Sequence, residues 1–289
     1  LALVAAMRPK QWVKNVLVAV APAAAGTLLH GTVLLKTVVA FFAFSLVASS
    51  LYLFNDIRDV EADRLHPKKS RRPIASGALP ISVAWPASFV LLAAGLALGG
   101  FAATWQLAVT LVAYAAITTA YSMGLKTVPV IELACVASGF VLRATGGGAA
   151  TNTKLSVWFV VVISFGALFI VTGKRLAEMP SATSEGERRA VLKEYTHSFL
   201  ESTLILCATI SITGYCLWAF ESTGLLNRAH GREIYIQLTV VPVVIAALHV
   251  LRLLDRGDGG TPEDLAFHDR VLQGLGAAWV ILMLIGLYA

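Results

Sequence analysis

The feature that most constrains this chain is the repetition of apolar runs about twenty residues long with almost no charge inside them. A helix needs about 20 such residues to cross the hydrocarbon core of a bilayer. Nine stretches fit: 12–30, 33–54, 82–101, 104–121, 128–148, 155–173, 201–220, 235–254 and 270–289. The first is short and interrupted by Pro22 and Gly26. Within a bilayer only helices or closed barrels satisfy every backbone group, so the expected fold is all-α. It is a polytopic membrane protein, a bundle of about nine transmembrane helices forming one domain over residues 1–289. Charged residues make up 14% of the chain, against about 25% in soluble domains. That leaves no room for a separate soluble module and argues against a disulfide scaffold, a disordered tail or a nucleic-acid binder. Cys135, Cys207 and Cys216 sit inside apolar runs without C-x-x-C spacing and read as small core residues. A cleavable leader is not expected, because the first apolar stretch follows the basic, aromatic segment RPKQWVKN and leads into further spans.

The loops set the orientation. Of 23 basic residues, 18 fall on one side: at 8–14, 58–72, 126, 174–193 and 252–270. Lys36, Lys154, Arg228 and Arg232 fall on the other, and Arg143 lies within the fifth span. By the positive-inside rule the N-terminus and these basic loops are cytoplasmic, and nine spans place the C-terminus outside. That rule is silent on carboxylates, yet 14 of 17 acids share the basic side. Two readings account for this: that side holds the longer loops, or the helix mouths there frame a polar site.

The sharpest motif is LYLFNDIRDVEADRLHPKKSRRPIASG, directly after the second span. Asn55, Asp56, Asp59 and Asp63 form N-D-x-x-D-x-x-x-D. If the helix continues through them, at 100° per residue Asp59 and Asp63 fall within about 60° of Asp56, while Glu61 points away. Three carboxylates on one face at the end of an apolar helix repel one another, and a cation relieves that cost. All-oxygen ligands suit Mg²⁺, which keeps waters and bridges to phosphate oxygens. Lys68, Lys69, Arg71 and Arg72 follow at once. Metal-binding acids beside a basic cluster make a site for a metal-bound diphosphate, where both neutralise charge on a leaving group.

With Asp56, Asp59, Asp63 and RRPIASG on a nine-span chain, the sequence resembles the UbiA superfamily of intramembrane prenyltransferases over nearly its whole length. The resemblance implies that Asn55, Asp56, Asp59 and Asp63 are the catalytic motif, with Asp56, Asp59 and Asp63 holding Mg²⁺. That family carries a second D-x-x-x-D motif between the fourth and fifth spans. Here the corresponding stretch, YSMGLKTVPVIELACVASGFVLRATGG, has Tyr121, Ser122, Lys126 and a single acid, Glu132. Its pattern, with Phe140, Arg143 and Gly147, is similar to one branch, the decaprenyl-phosphate phosphoribosyltransferases of actinobacterial cell-wall synthesis. RPKQWVKN, TGKRLAE at 172–178 and PEDLAFHDR at 262–270 agree with that branch. The resemblance implies transfer of 5-phosphoribose from phosphoribosyl pyrophosphate to a polyprenyl phosphate, the first committed step toward the lipid-linked arabinose donor of arabinogalactan. The expected setting is the plasma membrane, with the site on its cytoplasmic side.

Chemistry adds candidates. A donor with both a diphosphate and a 5-phosphate needs more positive charge than a prenyl diphosphate, and Lys10, Lys14, Lys126, Lys174 and Arg175 supply it beyond Lys68, Arg71 and Arg72. The acceptor phosphate is already anionic near neutral pH, so no general base is required. Glu132 binds metal or a ribose hydroxyl, or is a satisfied structural carboxylate. Arg143, about 16 Å deeper along the same helix, pairs internally or reaches the far interface. Lys174 and Arg175 end the sixth span, where cations also favour a helix C-terminus. Ser184 and Glu187 form a capping-box pattern for a polar helix over 185–199, a lid or an interfacial helix. Thr261–Asp264 reads as another helix start, and the histidines lack zinc spacing. Gly95 and Gly99 form G-x-x-x-G, which packs helices closely and allows a homo-oligomer without setting one. Three readings compete: the phosphoribosyltransferase, a conventional prenyl-diphosphate prenyltransferase, and a cation-binding transporter. Charge gathered at helix ends rather than mid-membrane argues against transport.

Overall fold

The computed structural model describes residues 1–179, 190–225, 233–256, 265 and 268–288. Among the described residues there are helices and turns and no strand. Eight helices among the described residues are long and apolar enough to cross a membrane. They are α1 (Gly31–Arg58), α2 (Ile81–Ala102), α3 (Trp105–Met123), α4 (Ile131–Thr151), α5 (Val157–Ala177), α6 (His197–Leu225), α7 (Glu233–Asp255) and α8 (Arg270–Tyr288). The chain is a multi-pass membrane protein. Helix α7 is interrupted at Thr239, where Pro242 has no N–H to give to the carbonyl four residues back.

The first candidate span, 12–30, differs from the rest. It is a 3₁₀ helix, Pro9–Ala19, followed by a short α-helix, Val20–Ala24. The 3₁₀ form rises about 2.0 Å per residue against about 1.5 Å for α. Sixteen residues of this mixture advance about 30 Å, the thickness of a bilayer core.

The chain forms two compact units, residues Leu1–Gly124 with Leu142–Lys154, and Leu125–Val141 with Leu155–Ala289. In the first unit α1 is the central element. Its 28 residues span about 42 Å, so its last turns, which carry Asn55 and Asp56, run beyond the apolar core. Ala40, Ala43, Phe44 and Val47 of α1 are buried together with Leu107 and Leu111 of α3. Gly95 and Gly99 are spent on this packing. A Cβ at Gly95 would lie 2.7 Å from Val47 Cγ2 of α1, and one at Gly99 2.6 Å from Leu111 Cδ1 of α3. The G-x-x-x-G pair therefore brings helices together within the chain.

The second unit is built on the α5–α6 pair, with Ala167, Val171, Leu200, Leu204 and Cys207 in its core. Cys135, Cys207 and Cys216 are free thiols, two half-buried and one buried. The expected polar helix over 185–199 is not continuous where it is described. Ala190–Glu194 is a 3₁₀ turn, and Thr196 Oγ1 accepts the Phe199 N–H at 3.2 Å, so a new helix begins there. Ser184, Glu187 and the Thr261–Asp264 start lie outside the described residues.

Candidate active site

In the first unit, α1 ends at Arg58 and a second short helix runs over Val60–Leu65, with Asp59 at the junction (φ −91°, ψ 10°). The backbone ladder continues across it, since Asp59 N–H donates to Asn55 O at 2.9 Å and Asp63 N–H to Asp59 O at 2.8 Å. Asp56 and Asp63, two turns apart, accordingly share a face and are 2% and 3% exposed. Asp59, at the junction itself, is half-buried, as is Asn55. Glu61 lies on the outside and pairs with Arg64, at 2.9 Å, three residues on.

Two arginines close on the buried pair. Arg72 Nη1 donates to Asp56 Oδ1 at 3.1 Å and to Asp63 Oδ2 at 2.6 Å, and Arg8 Nη2 donates to the same Asp56 Oδ1. Arg72 is directed inward because the residues after it are anchored: Ile74 and Leu79 are buried among Leu53, Ile57 and Val60, and Ser76 N–H returns to Arg72 O at 2.9 Å. Lys68 and Arg71 of the same basic run face solvent, as does Lys10, while Lys14 is half-buried. Asp56 Oδ2 is buried and has no hydrogen-bond partner among the described residues. An orphaned carboxylate oxygen beside a second buried carboxylate fits Mg²⁺, which binds through one or two carboxylates when phosphate oxygens and waters complete its shell. Among the described residues no group of three or more metal-ligating side chains occurs; Asp59 stands at the helix junction and does not join Asp56 and Asp63 in one.

Deeper in the same unit, Arg143 of α4 is 6% exposed and is held internally. Its Nε donates to Asn15 Oδ1 at 2.7 Å, its Nη2 donates to Tyr114 Oη at 2.9 Å, and its guanidinium lies 4.7 Å from the Tyr114 ring centroid. Of the two alternatives for this residue, the structure takes internal pairing.

In the second unit Glu132, fully buried, meets Arg175 in a two-pronged pair: Nε to Oε1 at 2.8 Å and Nη2 to Oε2 at 2.9 Å. Arg175 Nη1 also donates to Glu178 Oε2 at 2.9 Å. Arg175 therefore turns back from the end of α5 into the protein instead of toward solvent. Tyr195 Oη accepts the Val130 N–H at 2.7 Å and donates to Glu132. Burial, followed by the Glu132 charge among the smaller influences, pushes this phenol above its ordinary range. Val130 itself has φ +67°, an outlying conformation for a β-branched residue. Lys126 is exposed on the turn Leu125–Thr127, Lys174 is half-buried on α5, and Tyr121 is half-buried near the end of α3.

Sequence reasoning missed Arg8, Asn15, Tyr114, Glu178 and Tyr195 as members of these clusters. Only Glu178 carried a readable signal, its spacing of three from Arg175 on one helix. The others arrive from distant segments.

Fold and sites together define a multi-pass, all-α membrane protein with a carboxylate–guanidinium cluster at the end of its 28-residue helix α1. Residues 16–271 match the family model described as "UbiA prenyltransferase family", and the chain belongs to that family of transferases. It is 41% identical to a protein of Corynebacterium glutamicum over 99% of this chain and 86% of that one, named "Decaprenyl-phosphate phosphoribosyltransferase". A protein of the same name from Mycobacterium tuberculosis H37Rv is 44% identical over 96% of this chain and 91% of its own length. Among solved structures, a UbiA homolog from Archaeoglobus fulgidus bound to DMAPP and Mg²⁺ superposes with a TM-score of 0.71 at 18% identity, covering 99% of this chain and 98% of that one.

Proposed function

We propose that this chain transfers 5-phosphoribose from phosphoribosyl pyrophosphate to a polyprenyl phosphate, decaprenyl phosphate by its relatives' names, in a magnesium-dependent reaction serving arabinan synthesis. The observation that carries the reading is similarity at 41–44% identity over 96–99% of this chain to proteins named for that acceptor and that transfer. The family match runs through both compact units, which supports one catalytic domain over 1–289.

In the reaction the bond from ribose C1 to the diphosphate breaks, and an acceptor phosphate oxygen forms the new bond to C1. Asp56 and Asp63, with Asp59 and Asn55 beside them, would hold Mg²⁺, which when bound supplies positive charge to the departing diphosphate. Arg8 and Arg72 sit where guanidinium groups can take the phosphate oxygens two at a time, and Lys68, Arg71, Lys10 and Lys14 raise the local positive potential for a polyanion. We assign Lys126 and Lys174 to phosphate binding and Tyr121 to the sugar, on their chemistry alone. Glu132, Arg175 and Arg143 act on substrate through the groups they hold. The acceptor oxygen is anionic at neutral pH, so positioning and charge neutralisation suffice.

The same reading places the protein in the plasma membrane with its N-terminus and the Asp56, Lys126 and Lys174 loops cytoplasmic and its C-terminus outside. Labelling of single cysteines at Ser70 and Thr153 then reports opposite sides, and labelling from one side refutes the orientation. For the activity, purified protein is offered phosphoribosyl pyrophosphate or a prenyl diphosphate with polyprenyl phosphate, with Mg²⁺ or with chelator. Mass spectrometry is expected to find a phosphoribosylated lipid only with the first donor and only with metal. A prenylated product overturns the donor assignment.

A further inference from the structure

The 3₁₀ helix Pro9–Ala19 runs for eleven residues, whereas such helices seldom exceed three or four. Its contacts give the reason. Trp12 Nε1 donates to Ser49 Oγ at 3.1 Å, and three residues later Asn15 Nδ2 donates to Ser45 Oγ at 2.9 Å. Steps of three on this segment thus match steps of four on α1, in the opposite direction. Three residues of 3₁₀ helix advance about 6 Å, and four residues of α-helix advance the same. The two elements stay in register only while the segment remains 3₁₀; as an α-helix it would advance about 4.5 Å per three residues and lose the second rung. Val18, another three residues on, is 1% exposed. Its carbonyl oxygen lies 1.8 Å from where a Cβ of Gly147 would be, so α4 admits the strap only through a glycine.

At the other end of this strap is Arg8. It adopts the left-handed conformation, φ 53° and ψ 61°, which is unfavourable for an L-residue and persists where the surroundings over-determine it. Its guanidinium meets Asp56 and lies 4.9 Å from the centroid of the Tyr52 ring. Ser45, Ser49, Tyr52 and Asp56 follow one another up the same helix at spacings of three or four, from the rungs to the carboxylate. Arg143 locks the far rung, because the Asn15 carboxamide that gives its N–H to Ser45 takes the Arg143 Nε–H on its oxygen.

We propose that the strap is a register device in which Trp12 and Asn15 are positioning residues that seat Arg8 on Asp56. For its kinetic arm this rests on the function proposed above. The test uses the full chain in lipid nanodiscs. Trp12→Phe, which keeps an aromatic ring but removes the donor, and Asn15→Ala are made alone and in an Arg8→Ala background. Two quantities are read: kcat/KM for the donor, and backbone hydrogen exchange over residues 9–19. Trp12→Phe alone is expected to lower kcat/KM about three- to tenfold, the loss of one net hydrogen bond, and to speed exchange over 9–19. In the Arg8→Ala background it is expected to change kcat/KM no further, because its effect passes through Arg8. Equal fold-losses in both backgrounds overturn the proposal, since a strap that merely packs would act independently of Arg8. Should Asn15→Ala fail to fold, Trp12→Phe and Ser49→Ala carry the test. If the wild-type protein shows no phosphoribosyl transfer, the function falls separately. The strap is then judged on exchange and on the same double-mutant cycle in thermal midpoint: unchanged exchange or additive midpoints refute it, and faster exchange with non-additive midpoints sustains it.

Discussion

Asp56 and Glu132 are both buried carboxylates held by arginine, one in each compact unit, yet they are held differently. Glu132 has both oxygens bonded to one guanidinium that is itself 2% exposed and bonded again to Glu178. Asp56 offers one oxygen to two guanidiniums, each about 30% exposed, and leaves its other oxygen without a partner among the described residues. The Glu132 partners stand on helices, Glu132 in the first turn of α4 and Arg175 in the last turn of α5. Those of Asp56 come from residue 8 and residue 72, outside the spanning helices. A closed, fully bonded pair resists exchange of partners, because breaking it strands a charge away from water. An open one has valence to spare and partners already half in water. The difference teaches that burial alone does not distinguish the two carboxylates; the unfilled oxygen of Asp56 does.

The largest expected effect comes from breaking the closed pair. Glu132→Ala leaves Arg175 buried beside Glu178 alone and should cost about 3–5 kcal/mol of stability, read as thermal or denaturant unfolding in detergent. The double variant Glu132→Met/Arg175→Met should recover most of it, since replacing a whole buried pair by apolar side chains of similar volume is often nearly neutral. A single variant as stable as wild type would erase the contrast. Next, Asp56→Asn and Asp63→Asn should reduce turnover roughly 100-fold or more while leaving folded yield and thermal midpoint much closer to wild type than Glu132→Ala does. Loss of folded protein on the same scale would place both clusters in one structural class.

A smaller effect is expected from the exposed Lys126. If it binds the 5-phosphate, Lys126→Ala should raise the donor KM by about tenfold, in keeping with 1.5–3 kcal/mol for a charged hydrogen bond. The rise should shrink with a ribosyl diphosphate lacking that phosphate; equal losses with both donors would remove the assignment. A surface carboxylate supplies a third reference. The Leu272 N–H, given to Asp269 Oδ1 at 2.8 Å, with a further contribution from His249, holds the Asp269 carboxyl below the ordinary range. Its contribution is therefore present above the ordinary carboxylate pKa and is lost as pH falls through the lowered value. The gap in thermal midpoint between wild type and Asp269→Ala should accordingly stay open at pH 7 and close toward pH 3; a gap independent of pH refutes the linkage. The smallest effect belongs to Glu61, whose side chain is 81% exposed. Glu61→Gln should alter stability by less than about 0.5 kcal/mol and leave kcat/KM unchanged. An effect matching that of Asp63→Asn would contradict the division of the motif into an inner and an outer face.

Much of this was legible before any coordinates. The apolar runs specified an all-α membrane bundle, because a bilayer admits few alternatives, and eight of the nine runs became long α-helices. The spacing placed Asp56, Asp59 and Asp63 on one face and Glu61 away from it; Asp56 and Asp63 are buried and Glu61 is exposed, while Asp59, at the junction of the two helices, is only half-buried. The run 12–30 was legible as an apolar stretch but not as a 3₁₀ helix, whose local signals hardly differ from those of a short α-helix. Of the basic run 68–72, nothing in the residue types singled out Arg72 over Arg71; the buried Ile74 and Leu79 behind it did.

What the sequence by itself determined is therefore whatever depends on near neighbours: helix length and helix face. Only the tertiary structure decided the pairings. Arg8 reaches Asp56 across 48 residues, Arg175 reaches Glu132 across 43, and Arg143 reaches Asn15 across 128. Periodicity carries no information over such separations. In a low-dielectric interior each buried charge must find a partner, and which partner it finds depends on which helices pack side by side. That is set by small residues such as Gly95 and Gly147, whose neighbours become known only once the chain is folded.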